Sequence, residues 1–160
     1  MRGFYEEYYV VIVVAIAWTI AQITKLIYER VTQKTFDLSR VTGAGGMPSV
    51  HTTAVVALTA AIAKKDGLSS TGFAISMVLA FVVLYDAMNV RFEAGEHAKA
   101  LNALFKWFEN KPDAPDVDVK DTTPDTHEVN FEEKLGHTAR EILVGMLIAI
   151  ITVLVFPLKF

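Results

Sequence analysis

The chain has 160 residues, 52% of them hydrophobic, and a formal net charge of −3. That length suits a single domain, 1–160; the net charge says little about partners, and nothing in the sequence resembles a basic nucleic-acid surface. No cysteine is present, which excludes disulfides and thiolate chemistry.

The apolar residues are clustered along the chain. The first run, Tyr8–Tyr28 (YYVVIVVAIAWTIAQITKLIY), is long enough to cross a bilayer, which takes about 20 residues. Its leader, MRGFYEEYY, carries Glu6 and Glu7 and argues against a cleaved signal peptide. Toward its end Gln22, Lys25 and Glu29 form a polar stripe at helical spacing. GAGGMPSVHTTAV, residues Gly43–Val55, then leads three glycines, a proline, a serine and a histidine into a helix. That helix, Ser49–Ala63, is rich in Ala, Val and Thr, and is shorter and less oily than the first.

Lys64–Ser70 (KKDGLSS) reads as a turn before a second long apolar run, Thr71–Val90. Asp86, Asn89 and Arg91 sit at the end of that run. Glu93–Phe108 places Ala98, Leu101, Leu104, Phe105 and Phe108 at helical spacing, which predicts an interfacial helix anchored by Trp107 and Phe108. Glu109–Lys134 is acidic, holds three of the five prolines and reads as an extramembrane loop. His137 and Glu141 precede the last apolar run, Ile142–Leu158.

These segments predict an all-α integral membrane bundle of about four transmembrane helices, with an interfacial helix and an acidic loop. A soluble bundle of buried helices is the alternative. With four crossings, the loops at 29–48 and 91–137 share one membrane face and the termini share the other with the Lys64–Ser70 turn. The first face carries nine Lys/Arg (Arg30, Lys34, Arg40, Arg91, Lys99, Lys106, Lys111, Lys120, Lys134) against four on the second. The excess of basic residues makes the first face cytoplasmic.

Lys25, Gly45, Gly46, Ser49, His51, Asp86, Arg91, His137 and Glu141 all fall at that face. Ionisable residues near the membrane normally face a bundle interior or a wet cavity. Taken singly, each has a bland reading: Lys25 can snorkel to the headgroups, Asp86 and Arg91 can pair structurally, and a histidine can sit satisfied at the interface. Their convergence fits phosphate chemistry instead. Gly45 and Gly46 allow main-chain N–H groups to approach an anion beside a helix N-terminus, and Ser49 adds a hydroxyl donor. Lys25 and Arg91 supply charge, and Arg91 can make bidentate contacts. His137 and Glu141, at i and i+4, share a helix face, so the carboxylate can orient the imidazole. His51 remains as a general acid. Asp86, His97, His137 and Glu141 have no recognisable metal-ligand spacing.

GGMPSVHTTAVVAL, YDAMNVRFEAGEHAKALN and KLGHTAREILVG together resemble the divergent branch of the type 2 phosphatidic acid phosphatase family, relatives of the vanadium haloperoxidases. The resemblance spans Gln22 to Gly145 without the acidic loop. It assigns Pro48, Ser49 and His51 to a Pro-Ser-Gly-His motif, with Val50 in the glycine position, and implies that His51 protonates the leaving group. It assigns His137 and Glu141 to a His-x-x-x-Asp motif, with Glu replacing Asp, and implies that His137 is the nucleophile of a phosphohistidine intermediate. The Ser-Arg that normally precedes this histidine is missing. Lys25, or Lys34 with Arg40, stands in for the lysine and arginine of the first motif. A rival mapping pairs Arg91 with His97, but Leu101 then occupies the acidic position.

The expected activity is hydrolysis of a membrane lipid phosphate or pyrophosphate, with no cofactor and no metal. The bilayer and the lipid are the expected partners, nucleic acid is not, and a homo-oligomer is compatible with the sequence. A headgroup-binding or scaffolding relative without catalysis is the alternative; vanadate-dependent halide oxidation does not suit a membrane-buried site.

Overall fold

The structure is a computed structural model and describes residues 2–33, 46–109, 131 and 135–157. Five α-helices, numbered here in chain order, account for most of them: α1 (Arg2–Gln33), α2 (Val50–Asp66), α3 (Thr71–Tyr85), α4 (Arg91–Glu109) and α5 (Ala139–Val155). A π-helical turn, Asp86–Val90, joins α3 to α4 without a break. No strand occurs among the described residues. Gly45, Lys34, Arg40 and nearly all of the acidic loop lie outside them.

The helices begin and end where local chemistry dictates. Ser49 caps α2, its hydroxyl accepting from the Thr52 N–H at 3.4 Å. Gly67, at φ +85°, closes α2 in the left-handed region that glycine tolerates. Ser70 then caps α3 through the Phe73 N–H at 3.2 Å. The turn is therefore shorter than the sequence reading of Lys64–Ser70: Lys64, Lys65 and Asp66 complete α2, and only Gly67–Ser70 lies between the helices.

Helix α2 is the hub, packed by α1, α3 and α5, while α1 also packs on α5. Its large apolar side chains are all at least half-buried, so its surface meets protein on most sides. That explains its modest hydropathy: small residues let neighbouring backbones approach closely, as in packed membrane helices. The facing stripe of α1 runs Tyr9, Val13, Ala17, Ala21, Lys25, one residue per turn, and every member is buried. On α5, Gly145, Ala149 and Thr152 with Val153 face the same core.

Threonine hydroxyls of α2 bridge to both neighbours. Thr53 Oγ1 is shared between its own helix at Ser49 O (3.0 Å) and α5 at Gly145 O (3.1 Å). Thr59 Oγ1 does the same between Val55 O (2.9 Å) and Ser76 O of α3 (3.1 Å). Each satisfies a polar group where water is excluded and ties two helices together.

Among the described residues two helices are long and apolar enough to cross a membrane, Gly3–Thr32 and Thr71–Phe108. Only 22% and 17% of their most apolar windows is buried, the reverse of a soluble core helix. Val11, Trp18, Ile23 and Ile27 of α1, and Ile75, Val78, Phe81 and Val82 of α3, point outward instead. Helices α2 and α5 have 17 residues each, about 25 Å at 1.5 Å per residue, slightly less than a hydrocarbon core of about 30 Å. The expected bundle is helical as read, but two of its four expected crossings fall short of that length. The second apolar run and the expected interfacial helix prove to be one continuous helical stretch. Within α4 the buried positions are Gly95, Ala98 and Asn102, whereas Leu101, Leu104, Trp107 and Phe108 are exposed.

Candidate functional site

The polar residues gather at one end of the bundle, contributed by α1, the start of α2, the π-turn and the start of α5. The two chain entries into α2 and α5 are tied together: the Ser49 N–H donates to Glu141 O at 3.1 Å. Gly145, one turn further along α5, lies against Ser49 O; a Cβ there would stand 2.7 Å from that oxygen. Absence of a side chain at Gly145 therefore brings α5, and with it Glu141, up to the His51 end of α2.

Glu141 sits in the first turn of α5, where a carboxylate is favoured by the helix dipole. Its Oε2 accepts from the Thr138 N–H at 2.8 Å and meets His137 Nδ1 at 3.2 Å. His137 is buried, 8% exposed, so this contact is shielded from water. With Nδ1–H donated to the carboxylate, Nε2 carries the lone pair.

The π-turn positions the rest. In an α-helix the Arg91 N–H would bond Ala87 O; here it reaches back five residues to Asp86 O. The freed Ala87 carbonyl accepts the His137 N–H at 3.0 Å. The same wide turn stacks Arg91 above Asp86, and Arg91 Nε donates to Asp86 Oδ2 at 2.6 Å. That contact uses one edge of the guanidinium and leaves its terminal N–H groups for another acceptor. Both side chains are roughly half exposed.

A cavity of ≈ 110 Å³ lies between these elements, lined by His51, Val83, Asp86, Ala87, Arg91, Gly136 and His137. His51, in the first turn of α2, is exposed and within electrostatic range of Arg91, His137 and Lys25. Four residues singled out in the sequence thus share one wall: His51, Asp86, Arg91 and His137. Glu141 stands behind His137.

Lys25, Gly46 and Ser49 do not line the cavity. Lys25 is almost fully buried on α1. Gly46, at φ +87°, lies against it: a Cβ there would stand 3.3 Å from Lys25 Cε and 3.0 Å from Glu29 Oε1. The Ser49 hydroxyl is fully buried and accepts from Thr52 Oγ1 at 2.9 Å in addition to the cap. Gly46 and Ser49 build the start of α2, and Lys25 of α1 lies against Gly46 within electrostatic range of His51. His97 of the rival mapping is exposed on α4 and absent from the cavity. Gln22, one turn before Lys25, keeps a buried Oε1 with no hydrogen-bond partner among the described residues.

Sequence reasoning missed Gly136, Ala87 and Asn102. Gly136 has φ +82°, and a Cβ there would stand 2.5 Å from Phe92 N and 2.8 Å from Arg91 C. Asn102 exchanges two hydrogen bonds of 2.9 Å with the main chain of Phe131, holding the approach to His137 on α4. The glycine immediately before His137 was a signal in plain view; the Ala87 carbonyl left none.

Fold and site together define a helical membrane protein with a histidine- and arginine-lined cavity at one end of its bundle. The chain belongs to the Divergent PAP2 family, whose profile matches residues 7–152. It is 36% identical over 144 residues to the "Uncharacterized membrane protein YuiD" of Bacillus subtilis (strain 168), covering 88% of each chain. No solved structure matches it. The matched span contains every candidate residue from Lys25 to Glu141, which supports the resemblance read from the three motifs.

Proposed function

We propose that the protein is an integral-membrane phosphatase acting on a lipid phosphate or pyrophosphate through a phosphohistidine at His137, with no metal or cofactor. The observation that carries this reading is the pairing of His137 Nδ1 with Glu141 at 3.2 Å beside a cavity shared with His51 and Arg91. The Nε2 lone pair attacks phosphorus and the phosphorus–oxygen ester bond breaks. His51 donates its proton to the departing alkoxide. Glu141 stabilises the positive charge that develops on the imidazole. Water then attacks the phosphohistidine, His51 takes its proton, the phosphorus–nitrogen bond breaks and phosphate leaves. Arg91, held at Nε by Asp86, offers its remaining N–H groups to the phosphoryl oxygens.

The substrate is amphiphilic in this reading. A headgroup enters at the bundle end while its tail stays in the bilayer around the outward apolar faces of α1 and α3. Helices α1, α2, α3 and α5 cross, α4 continues α3 beyond the membrane surface, and the site faces the cytoplasm. Phosphate release from a panel of polyprenyl, phosphatidate and phosphatidylglycerol phosphates, by purified protein in detergent with and without chelator, tests it. Release that survives chelation supports the reading, and release that needs a metal contradicts its metal-free mechanism. A second reading, a headgroup binder without turnover, draws on Asp86, which already neutralises Arg91. Binding of these lipids without hydrolysis of any favours it.

A further inference from the structure

Two contacts hold the main chain at Gly136 and His137, and neither belongs to the imidazole. The His137 N–H is received by Ala87 O, a carbonyl available only because the Asp86–Val90 turn is π-helical. Gly136 rests directly on the Arg91–Phe92 peptide, in a conformation and at a distance that no side chain allows. Upstream, Asn102 clamps Phe131 by paired hydrogen bonds.

We infer that the π-turn and Gly136 form a seat that registers His137 against Arg91, making Gly136 and the extra residue of the turn positioning elements of the site. The functional meaning of the seat rests on His137 being the nucleophile proposed above; its existence as a registering device does not. Removing one residue from the turn restores α-helical bonding: the Arg91 N–H keeps Asp86 O, now four residues back, and Ala87 O is taken up by the Phe92 N–H. His137 then loses its main-chain acceptor, while Arg91 stays bonded to Asp86. Adding a Cβ at Gly136 lifts His137 off the Arg91–Phe92 peptide and breaks the reach of Nδ1 to Glu141.

The chain supplies its own control. Gly67 has nearly the same backbone, φ +85°, but open space where a Cβ would go, and it lies in the turn at the other end of α2. Gly67→Ala therefore places a side chain at the same positive φ as Gly136→Ala without touching the seat.

Histidine-selective ¹⁵N spectra in detergent micelles at alkaline pH, with the His137 signal assigned by its loss in His137→Gln, read the seat without any activity. Wild type and Gly67→Ala are expected to show His137 protonated at Nδ1. Gly136→Ala, and a chain lacking Met88, are expected to lose that signature; Met88 is an exposed residue of the turn. Where wild type releases phosphate, the same two variants lose turnover by about 10²-fold, the scale of an ångström-level misplacement, while Gly67→Ala stays near wild type. A wild-type His137 spectrum in Gly136→Ala overturns the seat. Should Gly136→Ala fail to fold, the same result in the Met88-deleted chain overturns it. Wild type that hydrolyses no lipid phosphate sinks the phosphatase reading alone, and the spectra still decide the seat.

Discussion

Glu141 serves two donors with one oxygen, the Thr138 N–H at the head of α5 and His137 Nδ1. Glu141→Gln keeps an acceptor for either donor but removes the charge that stabilises a developing imidazolium. The expected outcome is an unchanged melting temperature with turnover lowered by about 10²- to 10⁴-fold, read by phosphate release and calorimetry on the same preparation. Retained turnover would place the orienting role elsewhere. His51 lines the same cavity as His137, and the proposed mechanism gives it the leaving-group proton. His51→Ala should therefore slow alkyl phosphates far more than aryl phosphates, which depart unaided. Equal losses on both would remove His51 from acid catalysis. At this scale the histidine and glutamate were legible as a pair but not as a shared helix face: His137 precedes the Thr138 cap of α5, so the two meet across the chain's entry into the helix. Lys25 and Ser49 were legible as neighbours of the site but not in their place, since periodicity does not say which side chains reach a cavity and which are buried beside it.

Among the elements, α2 decides the fold. Its low oil content made it the weakest apolar run in the sequence, and the bundle shows why: it touches protein on three sides. Hydropathy measures fitness for lipid, and a hub helix meets little lipid. Contact between α2 and α5 depends on Gly145, whose missing side chain lets Ser49 O approach. Gly145→Ala should lower stability by about 1–3 kcal/mol through overpacking, seen as a lower melting temperature in detergent. Gly72 supplies the contrast: a Cβ there meets only Ile62 Cγ2 at 3.4 Å, an ordinary contact. Gly72→Ala should be neutral or stabilise by up to about 1 kcal/mol from helix propensity. Equal destabilisation by both would remove close approach as the reason for Gly145. The π-turn was not legible at all. It contains no glycine or proline, and DAMNV carries no periodic pattern that separates a wide turn from an α-turn. Its trace lies in main-chain hydrogen bonds, which side-chain identity does not encode.

The whole molecule has two chemically different ends. At one, cavity-lining histidines and arginine meet the starts of α2 and α5. At the other, Tyr9 Oη donates to Phe156 O at 2.9 Å and Lys64 Nζ to Val153 O at 2.8 Å, closing the C-terminus of α5 with a cation. The stripe on α1 runs from that tyrosine to Lys25 and spans the distance between the ends. Helical class and family were legible in the sequence because clustered apolar runs and three ordered motifs survive without coordinates. The proposed orientation, with the cavity end in the cytoplasm, rests on the distribution of basic residues. The chain lacks cysteine, so single thiols report without background. Ser69→Cys, in the turn after α2, should react with an impermeant thiol reagent in intact cells, whereas Ala100→Cys on α4 should react only after permeabilisation. The opposite pattern reverses the orientation while leaving the bundle intact.

The central claim is that His137 carries the phosphoryl group. Rapid quench of wild type during turnover of a ³²P-labelled lipid phosphate, held at alkaline pH to preserve a phosphoramidate, followed by peptide mapping, reads this directly. The account predicts acid-labile label on the peptide containing His137, gained at the rate of turnover and absent in His137→Ala. Turnover without label on that peptide, or His137→Ala releasing phosphate as fast as wild type, would contradict it.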